Sequence, residues 1–114
     1  MFIEHYQEVK AEPVTDAGAE KANIRWVIAE KDGAKNFFMR VFGIEPGGYT
    51  PLHHHPWEQE MFILEGKGKG CVVREEKEVS LTRGSVVFIP PNEEHQIKNM
   101  SQETFTFICL IPAR

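Results

Sequence analysis

Short apolar runs, each broken by a turn signal after about eight to twelve residues, set the strongest limit on what this chain can fold into. The breaks are Asp32-Gly33, Pro46-Gly47-Gly48, Gly66-Lys67-Gly68, Arg83-Gly84, Pro90-Pro91-Asn92 and Asn99-Met100-Ser101, all of them suited to reversing a backbone. Between them no long stretch keeps a helical period, and only residues 15–22 leave room for about one turn of helix. The pattern predicts strands near residues 2–9, 24–31, 36–45, 49–55, 59–65, 69–75, 79–82, 85–89, 95–99 and 104–111. Many short strands in this rhythm imply an all-β sandwich or barrel.

One domain accounts for the length. A chain of 114 residues buries roughly two thirds of its unfolded surface, enough for a core without staples. Two cysteines, Cys71 and Cys109, both inside apolar strands, are read as reduced, buried thiols rather than a disulfide framework. A net charge of -4 without a basic run argues against nucleic acid or an anionic membrane as partner. The N-terminus, Met1-Phe2-Ile3-Glu4-His5-Tyr6, lacks the apolar core of a signal peptide, and no run approaches the ~20 apolar residues of a membrane span. A cytoplasmic location is expected.

Chemistry enters with the histidines. In Thr50-Pro51-Leu52-His53-His54-His55-Pro56-Trp57-Glu58-Gln59, His53 and His55 stand two apart, so on an extended strand they project together while His54 points away. His95, in Pro90-Pro91-Asn92-Glu93-Glu94-His95, is placed to complete a cage from a neighbouring strand. Three neutral imidazoles suit one divalent transition metal, with manganese, iron, zinc and nickel as the candidates. His54 is expected at the surface, and His5 in a structural or solvent role.

Read from Gly47, the spacing runs through His53, His55, Gln59 and Gly66, then Gly84, Pro90, Asn92, His95 and Asn99. This resembles the two signature motifs of the cupin superfamily over roughly residues 36–111, and it is most similar to small single-domain manganese-binding cupins. The shared stretches are Pro-Gly-Gly, His-Pro-Trp-Glu, Pro-Asn-Glu-x-His and Cys-Leu-Ile-Pro. The resemblance implies a jelly-roll barrel (double-stranded β-helix) with the metal at its mouth. It also implies a barrel over residues 36–111, with N-terminal strands over 1–35 completing the sheet or a dimer, all within one domain. Two positions depart from the family pattern. Asn92 stands where glycine is usual, a tolerable change because asparagine accepts the left-handed conformation. Gln59 stands where a glutamate ligand is usual.

Gln59 has two readings, as a fourth ligand through its amide oxygen or as a hydrogen-bond partner behind three histidines. As a ligand it leaves the full charge of the ion uncompensated, which sharpens Lewis acidity and attracts anions. Glu60 faces the other way from Gln59, while Glu58 in the turn stays open as an acid or base. No catalytic residue is assigned. In the last strand Phe105, Phe107, Cys109 and Ile111 share a face, so Phe107 and Cys109 are candidate pocket residues. Arg40, a charge within Phe37-Phe38-Met39-Arg40-Val41-Phe42, is read as either a surface residue with a buried stem or an anion clamp. Trp57 is expected to pack under the ligand turn or shield the mouth.

Met61 and Ile63 alternate with Phe62 and Leu64, so that strand is apolar on both faces, and a second subunit is expected against one of them. A homodimer anchored by Phe2, Tyr6 and Trp26, with the N-terminal strand kept or exchanged, follows from the resemblance. Three functions stay open. One is an enzyme using Lewis-acid catalysis on a small oxygenated anion, by isomerisation, ring opening or decarboxylation. The second is a dioxygenase or peroxidase-like oxidation at the same metal, and the third a non-enzymatic module binding a small ligand or metal.

Overall fold

The computed structural model describes residues 1–72 and 76–114. Among the described residues it contains β1 (Glu12–Pro13), β2 (Glu20–Ile28), β3 (Phe37–Tyr49), β4 (Gln59–Glu65), β5 (Lys67–Val72), β6 (Lys77–Thr82), β7 (Val86–Ile89), β8 (His95–Lys98) and β9 (Phe105–Pro112). All named pairings are antiparallel, in the order β6-β5-β8-β3-β9-β4-β7, and β2 adds to β3 with β1 beyond it. The sheet curls on itself into a jelly roll, because β3 pairs with β2, β9 and, at its end, β8. Its first residues pair with β9 from Phe37↔Pro112 to Ile44↔Phe105, and its last, Tyr49, pairs with Lys98 of β8.

Alternation decides the inside. Phe38 and Ile44 from β3, Met61 and Ile63 from β4, Leu81 from β6, Ile89 from β7, Ile97 from β8 and Phe105, Phe107, Cys109 and Ile111 from β9 form the buried core. Each lies two, or a multiple of two, from its core neighbour on the same strand, as a pleated strand requires.

The strand prediction needs several corrections. Residues 2–9 are not a strand: Tyr6–Glu8 form a single 3₁₀ turn, with the His5 ring accepting from the Gln7 amide at 3.2 Å. Residues 15–22 hold no helix, and the strand predicted over 24–31 begins earlier, at Glu20, and ends at Ile28, with Glu30–Asp32 forming a second 3₁₀ turn. The runs 36–45 and 49–55 are one strand that ends at Tyr49, because Gly47 at φ 82° bends β3 without ending its pairing, and its N–H still donates to Asn99 O at 3.1 Å. Beyond Tyr49 the ligand segment leaves the strand and meets His95 at an isolated bridge through His53. The predicted strand 69–75 begins earlier, at Lys67, and its last three residues, like the side chain of Cys71, lie outside the described residues. Among the described residues no helix is long and apolar enough to cross a membrane.

Asn92 takes φ 67°, the left-handed conformation expected of a residue replacing glycine. Its N–H donates to His55 O at 2.7 Å, which ties the turn before β8 to the histidine segment.

Candidate metal centre

Without a strand to hold it, the segment after β3 is stitched to β8 by hydrogen bonds. Thr50 N donates to Ile97 O at 2.9 Å, and Ile97 N returns a bond to Thr50 Oγ1 at 2.9 Å. Further on, His53 N donates to His95 O at 3.1 Å and His95 N to His53 O at 2.9 Å. These two residues are thereby locked opposite each other, and the two-residue step to His55 brings the third ring alongside.

The three rings close on one point. Centroids lie 5.4 Å (His53–His55), 4.9 Å (His53–His95) and 5.3 Å (His55–His95) apart, each pair steeply tilted. One nitrogen from each ring lies within 4.8 Å of the other two. His55 donates its Nδ1–H to Trp57 O at 3.0 Å and His95 donates its own to Glu93 O at 2.8 Å, bonds that fix both rings and leave Nε2 as the lone pair.

The lone pairs fit a cation. His95 Nε2 is buried with no partner among the described residues, a cost that a metal bond removes. His55 Nε2 lies 3.0 Å from Gln59 Oε1, so both ring nitrogens of His55 face oxygen acceptors. A neutral imidazole satisfies only one of them; a cation shared by Nε2 and Oε1 satisfies the other. Gln59 opens β4 and is buried. Burial, then the neighbouring imidazoles, lower the pKa of His53 to about 4. Burial likewise lowers that of His95. Both rings are therefore neutral at ordinary pH, the form that ligates metals.

The rings form one wall of a cavity of about 470 Å³. Trp26, Phe42, Phe107, Arg40 and Thr50 line it as well, and Phe42 stacks on Phe107 with centroids 5.2 Å apart. Cys109 is fully buried on the same face as Phe107, behind the lining; its Sγ accepts a hydrogen bond from Arg40 Nη2 at 2.9 Å. Burial pushes its thiol pKa up. His54 is exposed at the rim. Glu58 and Glu60 are exposed on a separate groove and do not line the cavity. Trp57 stacks on His55 at 4.6 Å, and the Arg114 guanidinium lies 4.3 Å from the same indole centroid.

Sequence reasoning missed residues that matter here. Thr50 and the carbonyls of Trp57 and Glu93 position the ligands, and Glu12 and Asp16 bring two carboxylates to the cavity. Hydroxyl and acid residues this common carry no local signal; only the fold brings them to the histidines.

A family model described as Cupin domain matches residues 40–111. Among solved structures, the polyketide cyclase RemF from Streptomyces resistomycificus superposes with a TM-score of 0.95 at 32% identity, over 100% of this chain and 80% of that one. Auxin-binding protein 1 of Arabidopsis thaliana is 30% identical over 69% of this chain and 43% of its own length. A glucose-6-phosphate isomerase of Thermococcus onnurineus is 32% identical over 74% of this chain and 50% of its own length. The chain spans about half the length of the curated relatives it matches.

Proposed function

The chain belongs to the cupin domain family, and from that premise we propose that it is a metal-dependent enzyme acting on a carbonyl-bearing, oxygenated substrate. In this reading His53, His55 and His95 hold one divalent transition metal, with Gln59 as fourth ligand through Oε1. The observation that carries it is the convergence of three imidazole nitrogens within 4.8 Å, one of them buried and unpartnered, at the wall of a mixed aromatic and polar cavity. When bound, the ion supplies Lewis-acid polarisation of a substrate carbonyl and so favours loss of the neighbouring proton. Imidazole donors do not select among manganese, iron, zinc and nickel, and availability decides.

The protein's own groups do the rest. Trp26, Phe42 and Phe107 exclude water and hold a flat, conjugated chain against the ligand wall. Asp16, whose charge reaches both His53 and Arg40, is a carboxylate available in the lining to take a proton from the substrate carbon and return it. Isomerisation, decarboxylation and ring closure by carbon–carbon bond formation are the reactions that such polarisation, with a carboxylate in the lining to move the proton, would serve. Ring closure is favoured by the likeness to a polyketide cyclase over the whole of this chain.

The test is deuterium exchange at the activated methylene of a phenyl β-diketone in D₂O, followed by NMR, with metal content measured on the same samples. Protein with near-stoichiometric metal is expected to accelerate exchange, and both metal and acceleration are expected to disappear in His53→Ala. Full metal occupancy in that variant overturns the site. Metal-dependent oxygen uptake without exchange replaces this reading by the oxidative one.

A further inference from the structure

Arg40 is a buried cation outside any ion pair, with the exposed Asp16 of the same cavity acting on it only at longer range. It sits in β3 between Met39 and Val41, is 9% exposed, and among the described residues forms no ion pair. Nη2 donates to Cys109 Sγ at 2.9 Å, while Nε is buried and has no hydrogen-bond partner among the described residues. Cys109 does not neutralise it, because burial raises the thiol pKa and keeps the sulfur protonated. Desolvation lowers the pKa of Arg40 itself, yet a guanidinium keeps its charge in proteins.

Such an arrangement is unfavourable unless something else is served. Burying an unpaired charge is strongly unfavourable, which is why buried arginines normally carry a carboxylate partner. Here the guanidinium instead lies 5.4 Å from the Trp26 ring and 5.0 Å from the Phe42 ring. These cation–π contacts hold its plane without consuming its donors. All three side chains line the same cavity as the histidines. A planar fork held between rings, with a free donor, is matched by a planar anion.

We propose that Arg40 is the receptor for an anionic oxygen of the ligand, a carboxylate or phenolate carried on an aromatic frame that packs against Trp26 and Phe42. The inference rests on the reading of the cavity as a substrate site, and it deepens that reading by adding a second anchor apart from the histidine wall. The ligand then has two polar ends, a carbonyl directed to the histidines and an oxyanion directed to Arg40. Neutral analogues lose the second contact and keep the first.

The test uses benzoate as the charged probe and benzamide as its neutral counterpart, titrated calorimetrically into the protein reloaded with zinc. Wild type is expected to prefer benzoate, and Arg40→Met to weaken benzoate by roughly ten- to a hundredfold, leaving benzamide and zinc content unchanged. Arg40→Lys is expected to restore part of the loss. Equal benzoate affinity in wild type and Arg40→Met overturns the proposal, as does an equal loss for both probes, which marks a packing role. Should Arg40→Met fail to fold, the wild-type Arg40 Nε–H resonance decides: it shifts with benzoate and not with benzamide, or the proposal falls. A wild type that takes up no zinc yet binds benzoate through Arg40 sinks the metal reading and leaves this one standing.

Discussion

Burial and two neighbouring imidazoles hold the His53 pKa at about 4, against 6.5 for the free ring. Between those values the unfolded chain binds the proton and the folded chain does not, so the stability of metal-free protein is fully present above about 6.5 and falls as pH drops through the window. His95, also lowered by burial, adds in the same direction. The melting temperature of metal-free protein is expected to drop between pH 7 and about pH 4.5, and less in His53→Asn; parallel pH slopes in the two proteins count against this account. Gln59 is tested at the same scale. Gln59→Glu places a charge 3.0 Å from His55 Nε2 and is expected to tighten metal binding by about tenfold or more, since ligand charge tunes affinity. Unchanged affinity in a competition titration removes Gln59 from the ligand set. The three histidines were legible in the sequence from their spacing alone. The carbonyls that orient two of them were not, because a backbone oxygen has no residue type to read.

Elements follow residues less simply. Most strand positions were read correctly because one face of each strand is buried and the period of two survives in the sequence. The failures share a cause. Phe2-Glu4-Tyr6 alternates as a strand does, yet the segment turns at Tyr6–Glu8 and its carbonyls at Gln7 and Val9 accept from the Arg25 guanidinium rather than from a strand. Pro46-Gly47-Gly48 reads as a stop, yet neighbouring strands keep pairing across it. Close packing between elements was equally hidden. A Cβ on Gly68 of β5 would stand 2.6 Å from the Phe105 ring and 2.8 Å from Lys98 O, so β5, β8 and β9 approach this closely only over glycine. Gly68→Ala is expected to cost about 1–3 kcal/mol, seen as a lower denaturation midpoint with an unchanged slope. A midpoint equal to wild type contradicts that packing.

For the whole molecule, the outer face of the sheet exposes a patch of large apolar side chains. Phe62, Val86 and Phe88 are 45%, 75% and 56% exposed, and with Ile108 and Leu110 they line one shallow apolar groove; Phe37 nearby is 64% exposed. Each phenylalanine has roughly 150–250 Å² to bury, so these residues alone leave several hundred square ångströms of apolar surface. That reaches the upper range for a monomer and about half of what one side of a stable dimer buries. A second copy of the chain, set face to face through this sheet, is the expected occupant. Sedimentation equilibrium should give twice the chain mass, and Phe88→Glu should weaken the association by at least about tenfold; a monomer at every concentration dismisses it. The β1–β2 hairpin pairs within the chain, Glu12 opposite Ile24.

Period, turn residues and histidine spacing are local properties, and they determined the all-β class and the three imidazoles, because side-chain alternation and a two-residue step are written directly in residue order. Distance across the barrel is not. Only the closed sheet decided that Arg40 faces the cavity outside any ion pair, that Gln59 meets His55, and that Glu58 is left outside, because each depends on which strands the curl of β3 brings together.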